Sequence, residues 1–399
     1  MINIFTPYIE KNGAKSRCCC DIAVDGEKKN VWFEVDSEYE KYLCTERSDA
    51  YVIGFLSFAM RGGHDIICEA PVTDELLYNI STFLIPSLCK YGKNLHAIRI
   101  RCSIAPPLAE GDAVGTGCSC GVDSFYSIAF HMNSSFPRND LTHLCINNVG
   151  AFNECYDDYG REKAMNERYT ETRKVATKAG LPLIETNSNF WDEFYQNHLR
   201  THTYSSCFAV YMLQKLWRVY YYASSGYDFS LFSLKDNDLY SSDHYELLSL
   251  QCFSTSMLRI YSDGGEKDRF EKTEGIVSLP LAQQHLHVCI RKPYNCGQCS
   301  KCRRTLLTLD ALNALDDFSA VFDVEEYRKK LDANYLWLYS KHKEHDDMVE
   351  PIYEKLLKKQ SFSSRSNHIK RMYVMQQGIK KLRGIAKLPR RIMNKLTSK

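Results

Sequence analysis

The sequence predicts an α/β fold: a doubly wound, mostly parallel sheet, with an extra N-terminal α+β domain and a C-terminal cysteine knuckle followed by helices. Three observations point there. From about residue 110 to 290, stretches of strand character alternate with stretches of helical spacing, the pattern of βαβ units. The segment GTGCSCGVDSFYSIAFH, residues 115 to 131, sets a glycine- and serine-rich bend between a strand and an apolar helix. The chain has 399 residues, 44% hydrophobic and 25% charged, enough for more than one domain of ordinary globular composition.

Residues 1–108 read as a separate α+β domain, to which the sequence assigns no role. KKNVWFEVD, HDIICEAPV and NLHAIRIRCSI have the β-branched and aromatic content of strands. TDELLYNISTFLIPSLCKYG has helical spacing, with Thr73 as its cap and acids in its first turn. Cys18, Cys19 and Cys20 are expected in a half-buried strand, since consecutive side chains alternate faces there. Pro106 and Pro107 mark the boundary.

Residues 109–310 form the second domain. A short strand ends near Gly117, and a helix starts near Asp123. LTHLCINNV and LPLIET are strands on either side of a helix closed by Gly180. SSCFAVYMLQKLWRV is a helix, YYYASSG a strand, and SDHYELLSLQCFSTSML another helix. Residues 311–364 are a helical extension. In the tail, residues 365–399, eleven Lys or Arg stand without a single acid. The whole chain carries only +2, so its body is acidic.

Seventeen cysteines in a chain this long do not suggest a small secreted disulfide scaffold. The start, MINIFTPYIEKNG, has no charged-then-apolar leader, and the longest apolar run, AYVIGFLSFAM, is too short to span a bilayer. A reducing, cytoplasmic setting is expected. The basic tail would suit RNA, an anionic membrane surface or an acidic protein, or be a solvated end. A homodimer is compatible with the sequence.

The bend at 117–124 has the composition of an anion cradle. Glycines permit positive φ and close approach, and the amides and dipole at a helix start favour negative charge. Ser119 and Ser124 add hydroxyls. No Lys-Ser/Thr pair follows the glycines, which excludes a Walker loop, and G-x-G-x-x-G is absent. A plainer reading also fits: Asp123 or Ser124 merely caps the helix.

Cys289, Cys296, Cys299 and Cys302 have the spacing C-x6-C-x2-C-x2-C. Four thiolates suit a closed, tetrahedral Zn²⁺ site, with Gly297 easing the turn between two ligands. An iron–sulfur cluster is the competing reading, but no Pro follows Cys302. His285 and His287 lie just before; a strand with alternating faces accounts for them. His198 and His202 share a face if helical, and Arg200, His202 and Ser205 are candidate substrate contacts.

SCGVDS, residues 119–124, resembles the S-G-G-x-D-S loop of the PP-loop ATP pyrophosphatase superfamily. The match is Ser119, Gly121, Asp123 and Ser124; it departs at Cys120, where the family has its first glycine. The late cysteine knuckle is similar to that of the 7-cyano-7-deazaguanine synthases within this superfamily, with a first gap two residues shorter. RFEKTEGI, residues 269–276, resembles their Lys-x-Glu segment and so places Lys272 and Glu274 near a reacting centre. The resemblance spans about 112–310 and implies a HUP-type fold (adenine nucleotide alpha hydrolase-like). It implies that Gly117, Ser119, Cys120, Gly121, Val122, Asp123 and Ser124 hold ATP with Mg²⁺, that Asp123 and Lys272 are catalytic, and that the four cysteines bind Zn²⁺. The implied activity is adenylation of a carboxylate or amide oxygen of a small molecule, with release of pyrophosphate, then attack by nitrogen. Two alternatives stand beside it. One is a sulfur transferase acting on RNA, which would use Cys120 and the tail. The other is a non-catalytic nucleotide-binding protein whose loop has decayed.

Overall fold

The computed structural model describes residues 1–151, 160–224, 228–234 and 241–379. The chain divides into two compact units, Met1–Asn295 and Cys296–Lys399.

The first unit is α/β. Its strands are β1 (Ile2–Ile4), β2 (Tyr8–Asn12), β3 (Lys15–Val24), β4 (Glu27–Asp36), β5 (Ile66–Cys68), β6 (Val72–Thr73) and β7 (Ile100–Arg101). There follow β8 (Ile104–Ala105), β9 (Ala113–Gly117), β10 (His143–Asn148), β11 (Leu183–Ser188), β12 (Trp217–Ala223) and β13 (Arg259–Asp263). One mostly parallel sheet runs β13-β12-β9-β10-β11-β4-β3-β1-β5-β7, with β2 paired to β3 off this path. The two halves meet where β4 pairs antiparallel with β11, Glu34 opposite Asn187 and Phe33 opposite Ser188. Strands from either side of residue 108 thus share one sheet. β6 and β8 form a separate ribbon.

The five strands from β9 to β13 explain the placement of the site. They are all parallel and β9, the first in the chain, lies at the centre with β10 and β11 on one side and β12 and β13 on the other. The connections therefore leave β9 in opposite directions. This creates a crevice at the carboxyl ends of β9 and β12, where ligands of such sheets bind.

Burial follows the sequence pattern. In β3, Cys18, Cys19 and Cys20 are all buried, where expectation had a half-buried strand, while Lys15, Arg17, Asp21 and Val24 are partly exposed. Cys19 is flanked in register by Tyr8 of β2 and Trp32 of β4, and its sulfur lies 3.5 Å from Glu10 Oε2 of β2, so neighbouring strands enclose it. The helix Asp49–Gly62 lays Tyr51, Phe55 and Leu56 into a core shared with Phe190, Phe208 and Trp217. The helix expected after Thr73 forms, broken by a wide π turn at Ile80–Leu84 ahead of Pro86; Pro lacks the N–H that a regular turn would spend. Arg161–Ala179 ends at Gly180 with φ +69, as its sequence predicts.

The second unit is helical in its described part. Its helices are Ser300–Ala311, Val324–Lys329, Leu331–Lys343, Glu350–Leu357 and Gln360–Ser363, and residues 366–379 are also helical. The buried carboxylate of Asp310 ties them together. It accepts hydrogen bonds from Tyr327 Oη (2.8 Å), Tyr335 Oη (2.9 Å) and Lys359 Nζ (2.9 Å). The tail from residue 380 on lies outside the described residues. No described helix is long and apolar enough to cross a membrane.

Candidate functional site

β9 ends at Gly117, and the helix Val122–Phe130 begins after a turn of four residues. The turn sits at the crevice described above. Cys120 adopts φ +58, a left-handed conformation that costs a residue with a Cβ about 1–2 kcal/mol. This is where the resembling loops carry glycine. The Cys120 side chain is fully buried, with Sγ 3.8 Å from Thr172 Oγ1. Its sulfur therefore packs beneath the loop, and only its backbone is left to meet a ligand.

The carbonyls of the turn are tied down from below. Arg168 Nη2 donates to the Ser119 oxygen (2.8 Å) and the His287 N–H to the Cys120 oxygen (2.8 Å), while the Thr172 hydroxyl, which donates to Arg168 O at 2.9 Å, lies 3.4 Å from the Cys118 oxygen. The amides are treated differently. Cys118 N–H is spent on Cys145 O, and Gly121 N–H makes a long 3.3 Å bond to Ser119 Oγ. The Cys120 N–H is directed at the Cys118 sulfur, while the N–H groups of Ser119, Val122, Asp123 and Ser124 have no protein partner among the described residues. The helix cap is Gly121, without a side-chain cap, and Ser124 Oγ donates back to Gly121 O at 3.1 Å. Asp123 and Ser124 are thus not acting as caps.

Cys118 and Cys120 are buried together and share a hydrogen bond. That bond, helped by the Arg168 guanidinium, lowers the Cys120 thiol against the effect of burial and raises Cys118. The two titrate as a pair.

Asp123 lies in the first turn of its helix and faces two cations. Arg269 Nη2 is 2.9 Å from Oδ2, and Lys272 Nζ is 3.4 Å from Oδ1. Lys272 is wholly buried and also donates to the Ser224 carbonyl at 3.0 Å, just past the end of β12. Both cations come from the helix Arg269–Ile276, whose start is fixed by a capping box of Asp268 and Glu271. The turn after β13 makes room for Lys272: Gly264 has φ +75, and a Cβ there would sit 3.1 Å from Lys272 Cε and 3.0 Å from the Tyr126 ring. Glu274 is exposed.

A second polar group is buried behind the ends of β12 and β13. His202 Nδ1 lies 2.7 Å from Tyr222 Oη, and its Nε2 pairs with Asp243. Glu246 accepts a 2.6 Å bond from Ser262 Oγ, and burial pushes its carboxyl up to about 7. His198 and His202 do share a helical face, their rings 5.7 Å apart on His198–Met212. A groove of about 610 Å³ runs along Arg161–Ala179, lined by Arg168, Lys163, Lys174, Glu167, Glu171 and Pro293 among others.

The four knuckle cysteines converge, their sulfurs all within 4.8 Å of one another. Tetrahedral Zn²⁺ with bonds of about 2.3 Å requires sulfurs about 3.8 Å apart, so a small closure suffices. Amide N–H groups point at three of them: Arg291 N at Cys289, Cys299 N at Cys296 and Cys302 N at Cys299, each 3.4 Å. Such donors stabilise thiolates. The set can hold a metal ion such as zinc. His285 and His287 are not on a strand; His285 ends the helix Pro280–His285 and pairs with Glu171.

The structure thus brings together Asp123 and Lys272, 149 residues apart in sequence, beside the contiguous turn of Gly117 to Ser124. Sequence reasoning missed Arg168, Thr172, Arg269 and Gly264. A signal existed for two of them. Arg168 and Thr172 fall on the helical stripe of Ala164, Val175 and Ala176, an inward face where an Arg is unusual. No protein-family model, curated protein or solved structure matches this chain.

Proposed function

We propose that the protein is an ATP-dependent enzyme that forms AMP and pyrophosphate, activating a carboxylate or amide oxygen of a small molecule for attack by nitrogen. The observation that carries this reading is the turn at 118–124, where the Ser119 and Cys120 carbonyls are bound by Arg168 and His287 while four amides, of Ser119, Val122, Asp123 and Ser124, remain without partners among the described residues. Amides so arranged at a helix start favour phosphate oxygens. Two cations, Lys272 and Arg269, meet Asp123 in the same turn, and positive groups so placed suit a developing pyrophosphate. Position at the crevice between β9 and β12 and the likeness of the loop to S-G-G-x-D-S support the same reading.

In this reaction the substrate oxygen attacks the α-phosphorus, and the bond to the β-phosphate breaks. Pyrophosphate leaves with the electron pair. The nitrogen nucleophile then attacks the activated carbon, and AMP departs carrying the former substrate oxygen. The loop amides hold the phosphates, Asp123 orients the turn between its two cations, and Lys272 contributes positive charge from its buried place. ATP enters as its Mg²⁺ complex. Zn²⁺ fits the four thiols and would close the knuckle as a structural ion.

Cys120 does not favour a persulfide carrier, since its sulfur is buried against Thr172. The test is a calorimetric titration with the Mg²⁺ complex of α,β-methylene-ATP, followed by a screen for pyrophosphate release across carboxylic acids and amides with ammonium. Binding with substrate-dependent release supports the proposal. Absence of binding to the zinc-loaded protein ends it; binding without release across the panel favours a non-catalytic nucleotide carrier.

A further inference from the structure

We infer that Arg269 is the residue that directly grips the β- and γ-phosphates, and that Lys272 is a positioning residue beneath it. The inference rests on the proposed nucleotide site and assigns the cationic work within it. Both cations face one carboxylate, but their settings differ. Lys272 has a fully buried ammonium, bound to the Ser224 carbonyl at 3.0 Å as well as to Asp123 at 3.4 Å. To touch a ligand it would have to abandon a buried carbonyl, which costs the desolvation of that group. Arg269 lies one turn earlier on the same helix, its side chain 14% exposed, and meets Asp123 through Nη2 at 2.9 Å.

Charge and shape favour Arg269 as well. Both cations bear on the one carboxylate of Asp123, in the turn that carries the open amides. A guanidinium offers a planar fork that matches two phosphate oxygens at once, which an ammonium does not. The carboxylate of Asp123 then serves as a stand-in anion: it holds the guanidinium in place until phosphate arrives. Lys272 keeps that carboxylate fixed in the meantime.

The full chain, zinc-loaded, is titrated with Mg²⁺-pyrophosphate, Mg²⁺-α,β-methylene-ATP and AMP. Arg269→Gln is expected to weaken the first two by about tenfold or more and AMP by less than about twofold, because AMP lacks the phosphates the fork would hold. Arg269→Lys should recover part of the loss. Lys267→Gln, which removes a charge near the start of the same helix from an exposed pair with Glu271, should bind all three within about twofold of wild type. If Arg269→Gln unfolds, Arg269→Lys carries the test alone, with pyrophosphate weakened and AMP unchanged. Wild-type affinity for pyrophosphate in both variants overturns the inference and leaves the nucleotide site standing. Equal loss for all three ligands overturns it too, since that marks a structural role. A wild-type protein that binds none of the three overturns both this inference and the proposed function.

Discussion

Arg168 Nη2 donates a 2.8 Å hydrogen bond to the carbonyl oxygen of Ser119, 49 residues earlier in the chain. The bond comes from a helix that reads as charged and solvent-facing along most of its length, and Arg168 is only 5% exposed. It fixes the turn whose partner-free amides lie at the candidate phosphate site. Replacing Arg168 by Met should cost about 1–3 kcal/mol, the usual penalty for a buried polar group left without its partner. Urea unfolding measures the loss, and nucleotide affinity should fall with it. Wild-type stability in this variant would show that the contact does not hold the loop.

Substitution at Cys120 should invert the usual order for a buried site. Ala keeps the left-handed strain at φ +58 and loses the sulfur; Gly loses the sulfur but relieves the strain. Cys120→Gly is therefore expected to be more stable than Cys120→Ala, by about 1 kcal/mol. Nucleotide affinity should stay near wild type in Cys120→Gly, because the sulfur points at Thr172 and not outward. Chemical denaturation and titration of both variants check the two statements.

Glu246 gives the protein a pH dependence of definite sign. Burial raises its carboxyl in the folded state to about 7, from an ordinary 4.5. Between those values the folded protein holds a proton that the unfolded chain has released. The group's contribution to stability is complete below about pH 4.5 and is lost as pH rises toward 7. Glu246→Gln removes this term. Relative to the variant, wild type should lose stability on the order of 3 kcal/mol between pH 4.5 and 8, read from urea midpoints at several pH values. Parallel pH profiles for the two proteins would falsify the assignment.

Metal analysis of the purified protein should find one zinc per chain and no visible absorbance. Cys299→Ser should lose the metal, since four sulfurs converge on one point. It also removes the sulfur that accepts the Cys302 N–H at the start of the helix Ser300–Ala311, so the melting temperature should drop as well. Brown colour and iron in place of zinc would support the iron–sulfur reading.

The alternation of strands and helices between 110 and 290 was legible because parallel strands are buried on both faces and read as short apolar runs. The glycine-rich turn and the cysteine spacing were legible for a similar reason, since both depend on residues a few positions apart. Register and sheet order are another matter. The join of β4 to β11 depends on pairings about 150 residues apart, Glu34 with Asn187 and Phe33 with Ser188, and local pattern does not encode such a partner. Arg269 illustrates the same limit within the site. Its sequence neighbours mark an ordinary helix start, and its meaning comes only from Asp123, which folding brings alongside. The fully buried state of Cys19 likewise depended on a neighbouring strand, β2, that alternation within β3 cannot reveal.

The hydrogen bond from the His287 N–H to the Cys120 oxygen has a consequence for how the protein would respond to metal starvation. His287 stands two residues before Cys289, the first knuckle sulfur. If the four cysteines hold zinc, stripping it would free that short length of peptide to drift, and the anchorage of the candidate phosphate turn would slacken with it. Capture of the proposed nucleotide would then fail early, while the sheet beneath still stood, making zinc supply a throttle on the proposed chemistry more than a condition of folding.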